Sequence, residues 1–499
     1  ISQQLFSYQL ILTRGIGIWV FCCGESMSFS RRQFLQASGL AVCLGSLSSS
    51  VRAGAVSDRK LPIPPLLESR NGQPLFVTLQ KVHWAFDGTQ KTEVWGINGS
   101  MPGPTIKVKS GDDVKLIYSN RLNEPVSMTV SGLLVPGTQI GGAARMMSPG
   151  AYWSPVLPIR QKATTCWYHA NTPFKMAPHV YNGLVGMWIV EDEESKSLPL
   201  PKHYGVNDFP IILQDKRLDN FGTPQYDKEA ATEGFYGDTL LVNGCEDPYI
   251  EVSRGWIRLR LVNASNARRY ELSANDGRSL YLIASDQGLL TSPVELKSIP
   301  MAPGERREIL IDLSEGEEVT ITAGQSAGFM DRLRGIFEPS NLLRNTNVLT
   351  IKPTGLMSLV TDKVPQQLVV DDTQITTSIQ PRTIQLQNSP PGINNARWEL
   401  SRIDLVGKQN GWERWLVTVE TPQPFHIEGA RFKVINHDGQ KPAPADFGWK
   451  DTVWIEKQSE LLVELKQPSY SHFPFVYYSQ ILENADKGIA GQMEITPSE

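Results

Sequence analysis

The chain has 499 residues, 20% of them charged and 40% hydrophobic, with a net charge of −4; at ~150 residues per domain that is about three domains. This balance supplies no electrostatic basis for binding nucleic acid or an acidic membrane surface. Seven histidines leave little imidazole for metal chemistry.

The first methionine is Met27, and residues 1–26 read as an extension ahead of the true translation start. Their apolar run, 16–21, is far shorter than the ~20 residues of a membrane span. Residues 27–55 read as a twin-arginine signal peptide. The paired Arg31 and Arg32 precede a mild apolar run over 40–47 and the small residues Ala53 and Ala55 of a cleavage region. Export through the twin-arginine translocase to the periplasm follows, without stable membrane insertion. Cys22, Cys23 and Cys43 fall in the segment to be removed. Cys166 and Cys245 stand in strand-like apolar contexts and are expected as packed core thiols rather than a disulfide.

From Leu61 onward, short β-type runs alternate with Gly, Pro and Asn, and helical periodicity is scarce. Such spacing predicts β-sandwiches or barrels. Composition shifts at 191–201 and 352–378 divide the chain into domains at 58–195, 200–350 and 380–499, with a linker over 351–379. A weak echo recurs in each domain: an alternating apolar run follows Gly111, Gly255 and Gly411. Each run reads as the same strand of a repeated sandwich.

The chemistry-bearing residues are sparse. His83 and Trp84 read as a strand end, His179 and His203 as loop residues, and His437 and His472 as isolated. Met146 and Met147 read as packing residues, since Met is a general gap filler. No Gly-x-Ser-x-Gly elbow, phosphate loop or metalloprotease motif occurs.

Several motifs in one order carry a resemblance. They are Asn98-Gly99 with Pro102-Gly103-Pro104, Leu240 to Gly244, Arg260 to Ser265, Ala302 to Arg306, Asp451 to Val453, and Glu483-x-x-Asp486-x-Gly488. Over nearly its whole mature length the chain resembles the multicopper oxidases. The resemblance implies an all-β fold of three tandem cupredoxin-like Greek-key β-sandwich domains.

It also implies where copper ligands should stand, and those positions are eroded. The first His-x-His is replaced by Thr129 and Ser131. The second keeps His169, followed by Asn171 in place of its second imidazole. The third reads Gln423, His426 and Glu428. The last reads Tyr478, Ser479 and Gln480, with Asn484 for the later histidine and Ile489 for an axial Met. Ser479 occupies the place of the copper thiolate. A hydroxyl is a poor ligand for soft, redox-cycling copper, and two imidazoles cannot hold a trinuclear cluster. No cofactor is therefore expected.

The likeness to a copper-free, periplasmic cell-division branch of that family implies a non-enzymatic scaffold among divisome proteins, stabilising the septal ring under stress. The alternative is a residual metal-binding protein or oxidoreductase using His169, His426 and Glu428. If the fold holds, these three converge with Asn171, Gln480 and Asn484 between the first and third domains, as a hydrogen-bonded polar network or as a one-metal site.

Overall fold

The computed structural model describes residues 18–22, 25–29 and 59–498, with breaks at 71, 228–232, 325–341, 358–363, 372 and 375–377. Two units result, Ile1–Ser57 and Asp58–Glu499. In the first, strands Ile18–Cys22 and Glu25–Phe29 pair antiparallel, with Val20 opposite Met27. Arg31, Arg32, Ala53 and Ala55 of the expected export signal lie outside the described residues. Among the described residues no helix is long and apolar enough to cross a membrane.

The second unit is three β-sandwiches in tandem, each of two facing sheets. The reason for strands is visible in Leu75–Trp84, where Leu75, Val77 and Leu79 point inward and Phe76 stands in solvent. That is the two-residue alternation of a half-buried sheet. The echo read from the sequence is a topological repeat. Strand Asp113–Asn120 runs parallel to Leu75–Trp84, Trp256–Asn263 to Asp208–Lys216, and Trp412–Val419 to Pro381–Asn388. Gly111 and Gly255 lead into the first two with positive φ; in the third, Asn410 takes the left-handed conformation just ahead of Gly411.

A second repeat runs through two of the motifs that carried the family likeness. Asn98-Gly99, Asn243-Gly244 and Asn394-Asn395 each place two successive residues at positive φ, the requirement of a type I′ turn. In each, the first Asn side chain clips the opening strand of its sandwich. Asn98 accepts from Thr78 N and donates to Phe76 O; Asn243 does so with Ile212 and Pro210, and Asn394 with Gln385 and Thr383. The third copy escaped the sequence reading because Asn replaces the glycine. Asn tolerates left-handed backbone better than other side chains do.

The apolar cores are not one per sandwich. Buried side chains of the first and third sandwiches, among them Leu79, Trp167, Trp415 and Phe425, form one continuous cluster. The second sandwich keeps its own around Ile211, Leu259, Leu282 and Ile321. The expected linker begins as strand: Asn347–Met357 runs past residue 351 and pairs with Tyr249–Arg254. Further on, Leu368 is buried against Trp256, Ile283 and Leu310, and Asp371 pairs with Lys433 at 2.7 Å. This segment is therefore anchored to the sandwiches at both points.

Candidate functional site

Where the first and third sandwiches meet, two strand pairs face one another. Met128–Ser131 pairs with Thr164–Ala170, setting Thr129 opposite His169 and Ser131 opposite Trp167. Gln423–Ile427 lies between Phe475–Ser479 and Thr452–Ile455, setting His426 opposite Tyr478 and Thr452. Thr129, Ser131, His169, Asn171, His426 and Glu428 are all buried, so each polar atom needs a protein partner.

They resolve into two hydrogen-bonded groups. In the first, the His169 Nδ1–H donates to Ala170 O at 2.9 Å, which leaves Nε2 as an acceptor 2.8 Å from the Ser131 hydroxyl. His426 Nε2 lies 3.4 Å from the same oxygen. Its Nδ1 is 2.8 Å from Thr452 Oγ1, and that hydroxyl donates to Asp451 Oδ1. Ser131 Oγ thus sits between two imidazole nitrogens. His169 also stacks on Trp167 at 3.9 Å. Burial drives its pKa down to about 3, opposed by the hydrogen bond to Ala170, so the ring is neutral.

In the second group, Glu428 Oε1 accepts from Thr129 Oγ1 at 3.2 Å and Asn171 Nδ2 at 3.0 Å, while Oε2 accepts from Val476 N. Burial raises the Glu428 pKa; neighbouring His426 and these donors work against the rise. Residues from one sandwich at ligand-equivalent positions are therefore tied to a carboxylate of the other.

Of the remaining positions, Tyr478 packs its ring on His426 at 5.1 Å, and the others do not join this cluster. Asn484 donates to Gln423 Oε1 at 3.1 Å, within the third sandwich, with Ser479 and Ile489 buried in the same sandwich. Gln480 instead lies over Gly304 of the second sandwich, where an added Cβ would come 2.6 Å from its Cγ. The expectation that Gln480 and Asn484 converge with the others is corrected accordingly. They follow helix and loop backbone beyond Ser479, whose course strand alternation does not set. Tyr478 is buried, and burial together with the Glu428 charge pushes its pKa well above the usual phenol value.

The residues that the sequence did not single out as a site are charged. Arg306, on strand Arg306–Asp312 of the second sandwich, is fully buried and grips Asp451 of the third with both ends, at 2.7 and 2.5 Å. It also donates to Thr165 O of the first and to Asp286 O. Asp451 receives Gln287 at 2.6 Å, and Lys450 bridges Asp286 and Glu305. Gly132 makes room for this pair: at φ +93°, a Cβ there would sit 2.4 Å from Arg306 Nη2. Both partners lie inside motifs that carried the family likeness, but a single sequence contains no sign that they touch.

Other expectations are corrected at the edges. His179 lies in helix Met176–Asn182, buried, within 2.9 Å of Thr172 Oγ1 and 3.3 Å of Glu124. Pro178 falls in the first turn of this helix, where a missing N–H costs nothing. The next element to touch that helix is Asp486, whose carboxylate receives Met176 N and Ala177 N. His437 ends strand Ala430–His437 and bonds Ser459 Oγ at 2.6 Å. Met147 is buried, whereas Met146 is 44% exposed. His83 and Trp84 do end a strand, and Trp84 Nε1 donates to Gly244 O at 2.8 Å. His203 lines a cleft described below, and His472 Nδ1 lies 3.5 Å from Ser471 Oγ.

Cys166 and Cys245 are buried free thiols. Burial pushes them up to about 12 and about 11, and the thiolate is the reactive form. In the chain from Asp58 onward we expect no labelling by a thiol reagent in native buffer at pH 8 and two labels in denaturant. Rapid labelling of Cys166 in the native protein would contradict this burial.

Does the site suit copper? Two imidazoles share one hydroxyl, Glu428 is engaged by three donors, and Ser479 offers no thiolate. Among the described residues no three His, Cys, Asp or Glu side chains are grouped to hold a metal ion. The donor set does not fit a copper centre, and His169, His426 and Glu428 are not assembled as ligands.

A multicopper oxidase family model matches residues 78–195, and a second one matches 360–499. The chain is 64% identical over 471 residues to the cell division protein FtsP of Photorhabdus laumondii, covering 94% of this chain and 99% of that protein. It is 59% identical to FtsP of Escherichia coli, covering 94% and 100%. Among solved structures, the laccase-like multicopper oxidase CueO of a lignin-degrading Ochrobactrum is similar at a TM-score of 0.81 and 28% identity, covering 87% of this chain and all of that one. McoA of Aquifex aeolicus is similar at 0.78 and 25%, covering 88% and 100%.

Proposed function

The chain belongs to the multicopper oxidase family and, within it, to the FtsP cell division proteins, and from that premise we propose that it is a non-enzymatic scaffold of the division machinery. It acts in the periplasm after twin-arginine export and stabilises the septal ring under stress. The observation that carries this reading is the fate of the ligand positions. Thr129 and Asn171 of the first sandwich are hydrogen-bonded to Glu428 of the third, and Ser131 links His169 of the first to His426 of the third. Side chains that would have turned over a metal instead fasten two domains together. A rigid, tightly joined platform suits a protein that presents surface loops to partners. The likeness to oxidases supports the fold and not the chemistry, since function resides in sites grafted on folds.

A deletion strain tests this. Faulty septation under stress, unchanged copper tolerance and rescue by the intact chain are expected. The purified protein, exposed to Cu(II) and then desalted, should hold substoichiometric copper without thiolate-to-copper colour. A strain that divides normally but is sensitive to copper, or a protein holding several tight coppers, would overturn the reading.

A further inference from the structure

Between the first and second sandwiches lies a cleft of about 340 Å³, within the size range of small-ligand sites and at the kind of domain junction that favours them. Its floor is charged. Arg258, on strand Trp256–Asn263, keeps 8% of its side chain exposed and gives Nε and Nη2 to a single oxygen of Glu308. Its Nη1 has no hydrogen-bond partner among the described residues and is not sealed from solvent. A guanidinium held this deep ordinarily has its donors paired. Neighbouring Arg260 is saturated by Asp208, Glu308 and Thr165.

Charge and shape then narrow the occupant. Lys196, Lys202, Arg258 and Arg260 line the cleft against Glu191 and Glu308. Counting the partners behind the lining, Asp208 on Arg260 and Glu193 on Lys196, positive and negative charges balance. Both lining carboxylates are already matched, Glu308 by the two arginines and Glu191 by Lys107, so nothing here suits a cation. Val190, Leu200 and Leu289 supply an apolar wall.

We propose that this cleft binds a short ligand bearing one carboxylate and a small aliphatic group, the chemistry of a peptide C-terminus. The carboxylate accepts from Arg258 Nη1 with Lys202 at the rim, and the aliphatic part lies against Val190, Leu200 and Leu289. Hydrogen bonds from a cationic donor to a carboxylate are about twice as strong as neutral ones, and the apolar wall lowers the local dielectric around them. The cleft shares no residue with the copper-ligand positions, so its failure would leave the scaffold reading standing.

The test is calorimetric titration of the purified chain with N-acetyl-alanyl-alanine, with the carboxamide of that dipeptide, and with inorganic phosphate. The acid is expected to bind at ~1 mM or tighter, and the amide about tenfold more weakly or worse. Arg258→Gln should weaken the acid about tenfold. Lys202→Ala, at an exposed position, should weaken it about threefold without altering thermal unfolding. Equal binding of acid and amide, phosphate binding without the acid, or no acid binding up to ~10 mM would each overturn the proposal.

Discussion

Replacing Asp451 with Asn is expected to cost about 3–5 kcal/mol of stability. The carboxylate is 1% exposed and bidentate to an Arg306 that is itself fully buried. Taking either charge out of water costs several kcal/mol, recovered only through the partner. Without Asp451, Arg306 keeps Asp286 at 3.8 Å and little else of opposite charge. The damage should appear at once in all three sandwiches, because Arg306 also holds Thr165 O and Thr452 Oγ1 leans on Asp451.

Denaturant unfolding followed by tryptophan fluorescence measures the loss. Hydrogen exchange across Thr164–Ala170 and Thr452–Ile455 locates it, since a multidomain chain need not unfold in one step. The double variant Arg306→Met with Asp451→Leu should recover about half or more of the loss, because removing both charges leaves neither stranded. A cost below ~1 kcal/mol for Asp451→Asn would place this pair with weak surface bridges and remove it as the junction of the domains.

The second large effect is a pH dependence. His169 is held neutral, its pKa lowered from the ordinary imidazole value of about 6.5 to about 3, chiefly by burial. Below pH 6.5 the unfolded chain takes a proton that the folded one refuses. The His169 contribution is therefore complete above 6.5 and is lost progressively as pH falls toward 3. The slope is about 1.4 kcal/mol per pH unit, or ~5 kcal/mol in all.

Glu428 runs the other way. Its raised pKa means that the folded state binds a proton first, so lowering pH through that value toward 4.5 stabilises. Asp451 and Glu308, both lowered by arginine partners, begin to lose stability only below the ordinary carboxylate range. Between pH 7.5 and 5, comparing the parent with His169→Gln isolates the histidine. The variant starts less stable, and the gap should narrow by about 2 kcal/mol over that interval. A gap constant with pH would mean that His169 is not a buried neutral ring.

The sequence was most informative where one residue carries its own constraint. A Gly or Asn at a left-handed position announces its turn, and alternation announces a strand, so the runs after Gly111, Gly255 and Gly411 pointed to repeated sandwiches. The eroded ligand positions could be named one by one through the resemblance to the multicopper oxidases, and what each replacement can no longer do follows from its side chain. Partnership was harder to read. Ser131 Oγ between His169 and His426, and Thr129 and Asn171 on Glu428, join residues 257 to 299 positions apart. The partners of His179 and His437, Thr172 and Ser459, lie outside the helix and strand that carry them, so neither pairing shows in local sequence.

By itself, then, the sequence determined the all-β class and the threefold repeat, which follow from local backbone preference, and, through the family resemblance, the loss of copper ligands. The tertiary structure alone decided that first and third sandwiches share a core, that Arg306 finds Asp451, and that Gln480 and Asn484 part from the other positions. The physical reason is that burial and pairing belong to sets of residues brought together by packing. In water each of these charges would be solvated and indifferent to the others; inside the protein each one's energy depends on which partner the fold places beside it.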